Sequence, residues 1–307
     1  MLKIDGNKPD NVHLKWTKNN KPIASIKSGE EFEILVPDSS TNQVDQNWTT
    51  KDLARLDPKL LDAAVGPIWV EGAEKGDALE VEILDIQTCD WGWSTTENLF
   101  GLIKGRFPDN LVMWSLNSGF AESRSSFLKG VKVPLRPFLG VMGVAPDEGE
   151  YGMIAPQSFG GNMDNKLLTA GAKLFLPIMT RGALFSVADP HAAQGDGESG
   201  GTGIETTALA RLRLSVLKNM SLKFPRALVI QSSSEALMVA MGISNDLYKA
   251  SQFAMENLID YLEERGIAPA EAYTLCSLVG DLRISELVDE PNHVVSMTFP
   301  ISVANRK

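Results

Sequence analysis

Apolar and charged residues alternate along several short stretches in the first two thirds of the chain. The pattern is clearest in "EFEILV" (31–36), "ALEVEILDI" (78–86) and "LARLRLSVLK" (209–218). In the second stretch Leu79 and Val81 fall on one side of an extended chain and Glu80 falls on the other, because successive side chains of a strand point to opposite faces. The pattern predicts half-buried strands.

Helical spacing is concentrated near the end of the chain. The segment "SNDLYKASQFAMENLIDYLEERG" (244–266) begins with capping residues and ends at a glycine. Its apolar stripe consists of Leu247, Ala250, Ala254, Leu258 and Tyr261. A second helix is predicted over "APAEAYTLCSLVG" (268–280), where Pro269 suits the first turn. We therefore predict one β-rich α+β domain over residues 1–307, with antiparallel sheets in a sandwich-like core and a C-terminal helix pair packed to one side.

The charge balance of the chain limits the classes of partner. The 307 residues include 29 Lys and Arg and 39 Asp and Glu, which gives a net charge of −10. A negative surface repels phosphate backbones and anionic lipids, so we expect neither nucleic acid nor a membrane as partner. The N-terminus has no apolar stretch typical of a signal peptide, and two cysteines are too few for a disulfide framework. These features predict a cytoplasmic protein.

The stretch "ADPHAAQGDGESGGTGIE" (188–205) holds one histidine, two aspartates, two glutamates and five glycines. Its His191, with Asp189, Asp196 and Glu198 nearby, is the mixture of imidazole and carboxylate that suits a divalent metal with an open position for water. A solvated acidic loop stiffened by turns explains the same residues equally well. A phosphate site is disfavoured, because the acidic side chains would repel the anion and no lysine follows.

Ser199 raises another possibility, since "GESGG" matches the G-x-S-x-G pattern of serine hydrolases. A nucleophile elbow needs a strand before the serine and a helix after it, whereas this stretch is preceded by turn-forming residues and leads into an alternating strand. The base would have to be His293, oriented by Asp281 or Asp289. The serine mechanism is therefore an alternative and not the favoured interpretation.

Two further segments carry candidate ligand-binding groups. "FGGNMDNK" (159–166) is either a hairpin turn or a set of amide and carboxylate groups, among them Asn162 and Asp164, that contacts a small polar ligand. Trp91 and Trp93 in "CDWGWSTTENLFG" are candidates for a pocket wall, although large aromatic residues more often belong to the core.

Several long segments, in order, resemble the acetamidase/formamidase family. They are "HLKW" (13–16), "GPIWVEGAEKGDALEVEILDI" (66–86), "GVAP" (143–146), "GGNMDNKLLTAGAKLFLPI" (160–178), "GALFSVADPHAAQGDGESGGTGIETT" (182–207) and "EAYTLCSLVGDLRISELVDEPNHVVSMTFPIS" (271–302). The resemblance covers nearly the whole chain. It implies a β-rich α+β fold, hydrolysis of a short primary amide such as formamide or acetamide to carboxylate and ammonia, and assembly into a homo-oligomer, a dimer or larger.

The resemblance also implies a metal-dependent site, with zinc as the expected ion. The expected ligands are His13, Asp45, His191 and Asp196. Glu198 is expected to act as general base and then acid, with Asp164 as a second catalytic group and Asn162, Trp91 and Trp93 contacting the substrate. Members often carry a cysteine where this chain has Ser199 and Gly200, which argues against thiol chemistry there. A serine hydrolase and a non-catalytic amide-binding protein are the alternatives.

Overall fold

Two large β-sheets, of nine and eleven strands, make up most of the regular structure in the computed structural model, which describes residues 1–117, 119–232 and 235–304. In chain order the strands are β1 (Leu2–Asp5), β2 (Val12–His13), β3 (Ala24–Ile26), β4 (Glu30–Val36), β5 (Ala64–Val70), β6 (Ala78–Thr88), β7 (Trp91–Thr96), β8 (Asn110–Asn117), β9 (Phe120–Ser123), β10 (Lys132–Pro134), β11 (Phe138–Gly143), β12 (Gly160–Asn162), β13 (Lys173–Pro177), β14 (Phe185–Ala193), β15 (Ile204–Glu205), β16 (Ala208–Leu217), β17 (Arg226–Ser232), β18 (Glu235–Ser244), β19 (Asp281–Glu286) and β20 (His293–Pro300). The α-helices are α1 (Leu247–Glu263), α2 (Pro269–Val279) and α3 (Ile301–Ala304). Short 3-10 helices span Pro9–Asn11, Thr50–Arg55 and Pro58–Leu60.

The nine-stranded sheet runs in the order β1-β4-β16-β6-β13-β17-β18-β20-β19. Its neighbouring strands are antiparallel except for the β1–β4 pair. The three stretches with alternating residues form β4, β16 and β6, side by side. Leu79 and Val81 are fully buried, whereas Glu80 pairs with Lys173 across the neighbouring strand at 3.3 Å. The alternation therefore marks the two faces of this sheet, as predicted.

The eleven-stranded sheet places β14 at its centre. Its main path is β10-β9-β8-β7-β15-β14-β11-β12, and β5 also pairs with β14 and carries β2 and β3. Apolar residues from both sheets form one core cluster, including Phe32 and Val81 from the first sheet and Val141 and Val187 from the second. The predicted sandwich-like core is confirmed.

The two longer helices pack on one side of the nine-stranded sheet. Ala250, Ala254 and Leu258 of α1 and Cys276 of α2 share a buried cluster with residues of β18 and β20. The first helix begins after Asp246, whose Oδ1 accepts a hydrogen bond from the Lys249 N–H at 2.7 Å. This is the C-terminal helix pair that the sequence predicts. In the described part of the chain, no helix is both long and apolar enough to cross a membrane.

Candidate active site

The central strand β14 supplies two of the site's ionisable groups, Asp189 and His191. All nine residues of this strand are buried. The backbone of Asp189 has φ 55°, a left-handed conformation that aspartate tolerates better than most residues. The imidazole of His191 stacks on Phe138 with a centroid distance of 4.9 Å. Neighbouring strands therefore hold both groups in fixed positions.

The turn after β12 supplies Asn162 and Asp164. The backbone N–H groups of Met163 and Asp164 both donate to the carbonyl oxygen of Gly140, at 3.1 and 3.2 Å, which fixes the turn against β11. Asn162 Nδ2 donates to Asp289 Oδ2 at 2.7 Å, so Asn162 Oδ1 is the end of the amide that is available as an acceptor. Asp164 is 1% exposed, and its Oδ1 lies 3.7 Å from His191 Nδ1.

The glycine-rich loop and the short strand that follows it supply Glu198 and Glu205. The N–H of Gly197 donates to the carbonyl oxygen of Ser285 at 2.8 Å, which fixes the loop beside β19. Glu198 Oε1 lies 3.4 Å from His191 Nε2, and Glu205 Oε1 lies 3.0 Å from the same nitrogen. Both carboxylates are buried. One imidazole is therefore surrounded by four carboxylates from three segments of the chain.

These groups line one cavity of about 390 Å³. Seven carboxylates face it: Asp62, Glu97, Asp164, Asp189, Glu198, Glu205 and Asp289. His191 is the one basic side chain among its described lining residues, none of which is lysine or arginine. Two sets of ligand atoms are close enough together to hold a metal ion, namely Asp164–His191–Glu198 and Asp189–His191–Glu205.

The crowding of acidic groups shifts their pKa values. Burial and then the charge of Glu198 raise the pKa of Asp164 well above its usual range. Burial likewise raises the pKa of Asp189, against the opposing effect of His191. Burial alone would lower the pKa of His191, but the charges of Asp189 and Glu205 raise it well above its usual value. Full ionisation of the cluster is therefore unfavourable unless additional positive charge is present.

Several buried acceptor atoms in the cavity have no hydrogen-bond partner among the described residues. They are both carboxylate oxygens of Asp164, Oδ1 of Asp189, Oε2 of Glu205 and Oδ1 of Asn162. Buried polar atoms without a partner are costly, so such a group is expected to contact a ligand or an ion. Oxygen donors around one imidazole match the ligands that divalent cations take in proteins. The residues present therefore fit a divalent metal.

Six of the residues considered in the sequence for the metal site or the amide lie together. Asn162, Asp164, Asp189, His191, Glu198 and Trp93 all line the cavity. The Trp93 indole Nε1 donates to Asp38 Oδ2 at 2.8 Å, and this bond fixes the ring in the wall.

The other predicted site residues lie elsewhere. His13 contacts Ser186 Oγ at 2.8 Å and Trp16 edge-on, and burial lowers its pKa to about 4. Asp45 is exposed and accepts from the N–H of Asn47 at 2.8 Å. These two residues are not part of the cavity lining.

Asp196 and Trp91 are also outside the cavity lining. Asp196 lies on the same loop as Glu198 but is exposed, and its Oδ2 pairs with Arg283 Nη2 at 2.6 Å. Trp91 packs half-buried against a small apolar cluster that contains Trp93. Of the four expected metal ligands, only His191 therefore lies in the cavity.

Ser199 does not have the surroundings of an activated nucleophile. Its side chain is exposed, and its hydroxyl makes no hydrogen bond with any residue that the structure describes. The imidazole of His191 lies beside Glu198 and Glu205, and His293 Nδ1 lies 3.1 Å from the carbonyl oxygen of Leu287. A serine nucleophile requires a base within hydrogen-bond reach.

Sequence reasoning missed Glu205, Asp62 and Asp289 as site residues. Asp189 is named beside His191 in the sequence but is not among the four expected ligands, although it lies two positions before His191 and therefore on the same side of a strand. Glu205 follows Glu198 by seven residues in the same acidic segment. Asp62 and Asp289 come from distant segments with no pattern that connects them to the loop, and only the fold places them at the cavity.

Buried carboxylates around one imidazole, in a cavity of a β-sandwich, are the groups with which many hydrolases hold a cation and move a proton. Residues 3–150 and 150–306 match the family model described as the acetamidase/formamidase family. The chain belongs to the acetamidase/formamidase family. The predicted resemblance is thus confirmed, and with it the enzyme class, a hydrolase of amide carbon–nitrogen bonds.

Relatives of known name agree with the family. The chain is 26% identical to a formamidase of Methylophilus methylotrophus, over 95% of this chain and 89% of that protein. It is similar to the crystal structure of a predicted acetamidase/formamidase of Thermoanaerobacter tengcongensis, with a TM-score of 0.88, 30% identity and coverage of 98% of this chain and 97% of the other. An acetamidase structure from Bacillus halodurans gives a TM-score of 0.89 at 28% identity, with 98% of each chain covered.

Proposed function

We propose that this chain hydrolyses a neutral primary amide to a carboxylate and ammonia in the cavity around His191. Water adds to the carbonyl carbon, the carbon–nitrogen bond breaks, and a proton moves from the water to the departing nitrogen. The observation that carries the proposal is the convergence of His191 with Asp164, Asp189, Glu198 and Glu205, all buried and within 3.7 Å of the imidazole. Such a cluster can both hold a cation and transfer a proton.

Asp189, His191 and Glu205 are the residues that would hold a divalent cation, with zinc as the first ion to test. Their ligand atoms lie within 4.8 Å of one another. This ligand set replaces the one expected from the resemblance, of which only His191 lies in the cavity. When bound, the cation supplies polarisation of the amide carbonyl and lowers the pKa of water in the site.

Glu198 is the proton carrier in this proposal. It is buried, contacts His191 and lies on the loop next to the cation-binding residues. Burial raises the pKa of Glu198, although the hydrogen bond and charge of His191 oppose the shift. A carboxylate with a raised pKa accepts a proton from water more readily and can then pass it to the leaving nitrogen. Ammonia is a poor leaving group until its nitrogen is protonated.

Asn162 and Asp164 orient the amide. The bond from Asn162 Nδ2 to Asp289 leaves Oδ1 of Asn162 as an acceptor, and both oxygens of Asp164 lack partners among the described residues. Acceptors at these positions suit the N–H groups of a primary amide. The predicted cytoplasmic location, the single-domain organisation and the homo-oligomer stay predictions.

The test compares two variants of adjacent residues, Glu198→Gln and Ser199→Ala. Ammonia release from formamide and acetamide is measured for both. We expect Glu198→Gln to reduce kcat by about 10² to 10⁴-fold, the usual contribution of general acid–base catalysis. Ser199→Ala should keep wild-type turnover because its hydroxyl is exposed and outside the cavity.

The reverse pattern, with Ser199→Ala inactive and Glu198→Gln active, would support the serine hydrolase. Amide binding without ammonia release from any primary amide would favour a non-catalytic binding protein.

A further inference from the structure

Apolar side chains also line the cavity, beside its carboxylates. Two segments, the region around the second and third 3-10 helices and the loop after β7, provide most of these side chains. The apolar lining consists of Leu56, Leu61, Trp93, Leu99, Phe100 and Ile154. Leu99 is 82% exposed, which is unusual for a large apolar side chain at the wall of a cavity.

The cavity is much larger than the smallest primary amides. Its volume of about 390 Å³ lies within the range of roughly 300–1,000 Å³ that is typical of pockets for drug-sized ligands. One water occupies about 30 Å³ in the liquid, so acetamide, with four non-hydrogen atoms, takes the space of about three waters. The cavity therefore has room for an acyl group longer than acetyl, and apolar side chains are part of its lining.

Charge sets a second limit on the substrate. Seven carboxylates face the cavity, and none of its described lining residues is a lysine or arginine. An anionic acyl group would be repelled by this field. A cationic end group beside Leu61 and Phe100 would bury less apolar surface than a methyl end, and burying its charge there costs free energy unless the charge is paired.

From this geometry we infer that the substrate is a primary amide with an unbranched or cyclic apolar acyl group several carbons longer than acetyl. The inference rests on the proposed amide hydrolysis at the same site. The amide group occupies the end with Asn162 and Glu198, and the acyl chain lies along Leu61, Leu99 and Phe100. Binding of the chain then depends on burial of apolar surface.

The test measures kcat/KM for acetamide, butyramide and hexanamide, with ammonia release as the readout. Each buried methylene group should raise kcat/KM by about fourfold, which corresponds to about 0.8 kcal/mol per methylene. Hexanamide has four more methylene groups than acetamide, so its kcat/KM should be higher by roughly 250-fold if all four are buried and by roughly 16-fold if only two are. Two amides of the same length with a charged end, 6-aminohexanamide and adipic acid monoamide, should both fall below hexanamide.

A pair of variants on one loop locates the acyl site. Leu99 lines the cavity, whereas Leu102 is 56% exposed on the same loop and lies outside the cavity lining. Leu99→Ala should lower the hexanamide-to-acetamide ratio of kcat/KM by about threefold or more, because a large part of the apolar contact is lost. Leu102→Ala should leave the ratio as in the wild type. The ratio does not depend on the fraction of active enzyme, and both side chains are exposed, so neither variant should fail to fold.

The outcomes separate this inference from the proposed function. A rising series with a specific effect of Leu99→Ala supports the inference. If kcat/KM for butyramide and hexanamide is equal to or lower than kcat/KM for acetamide, the inference is overturned and amide hydrolysis is unaffected. Higher activity on either charged amide than on hexanamide also overturns it. A lack of ammonia release from every amide, with metal present, contradicts the proposed function and removes the basis of the inference.

Discussion

Gly140 lies directly against the carboxylate of Asp164. A Cβ atom at position 140 would be 2.3 Å from Asp164 Oδ1 and 2.6 Å from Asp189 Oδ2. Real Cβ atoms do not approach oxygen so closely. Strand β11 can therefore pass beneath the carboxylate cluster only because this position has no side chain, and two acidic groups of the site depend on it.

Substitution of this glycine should disable the site with little effect on the fold. In Gly140→Ala the added methyl group would displace Asp164 and Asp189, and an error of about 1 Å in a catalytic site costs about 10²-fold in rate. We expect kcat/KM for the best amide to fall by about that factor, while Tm changes by only a few degrees. Gly152→Ala is the control, because nothing lies within 4 Å of its Cβ position. Equal activity of the two variants would show that the cluster does not need its observed geometry.

Removal of divalent metal should lower thermal stability through the buried carboxylates. At a cation concentration about 100 times Kd, binding adds about 2.7 kcal/mol to the free energy of unfolding. Removal of the metal should therefore lower Tm by roughly 5 °C. Asp189→Asn should reduce this difference, since asparagine tolerates the φ of 55° but is a weaker ligand. Differential scanning calorimetry with and without chelator measures the effect.

Asp196→Asn is the matched control for the metal experiment. Asp196 is exposed on the neighbouring loop and pairs with Arg283. This variant should keep the wild-type difference in Tm between loaded and stripped protein. If Asp196→Asn abolishes the difference and Asp189→Asn preserves it, the ligand set expected from the resemblance is favoured over the cluster around His191.

Arg226 connects the nine-stranded sheet to helix α1. It is 3% exposed, and its Nε donates to Asn257 Oδ1 at 2.7 Å. Arg226→Ala would leave this buried oxygen without its donor, so we expect a loss of about 3 kcal/mol in the free energy of unfolding. Urea denaturation measures the free energy of unfolding.

Lys223→Ala is the control, because it removes only an exposed ion pair with Asp260, and it should change stability by less than about 0.5 kcal/mol. A comparable loss in both variants would show that the buried contact of Arg226 with Asn257 has no special role in stability.

The two thiols should differ in reactivity. Cys276 is fully buried in α2, and burial raises its pKa to about 11, so only about one thiol in a thousand is ionised at pH 8. Cys89 is half-buried. Treatment of the native protein with iodoacetamide at pH 8, followed by mass spectrometry, should modify Cys89 before Cys276, and unfolding in urea should expose both. Equal rates in the native protein would show that the helix pair opens readily.

Local patterns in the sequence were sufficient to predict much of the fold. Alternation in β6 and the spacing from Leu247 to Tyr261 identify which faces are buried, because each pattern has the period of its element. The proposed metal ligands could not be derived in the same way. A turn from Gly195 to Glu198, in which Gly197 has φ 85°, separates Asp196 from Glu198. Asp196 pairs with Arg283 and Glu198 contacts His191, and no local pattern distinguishes the two acids.

The site's remaining members depend on long-range pairing of strands. Glu205 reaches His191 because β15 pairs with β14, and Asp289 reaches Asn162 across 127 positions of the chain. Such contacts depend on sheet order, which residue patterns do not specify. Strand pairing also explains why His13 lies outside the cavity. The resemblance implies that His13 is a ligand, but β2 pairs with β5, and this pairing places His13 beside Ser186.

The most direct test of metal-dependent amide hydrolysis at the His191 cluster measures ammonia release and metal content on the same sample, before and after exhaustive dialysis against a strong chelator. The account predicts that ammonia release from acetamide or hexanamide falls with metal content and returns on addition of one divalent ion, zinc being the first to try. Full activity after complete removal of metal would contradict it.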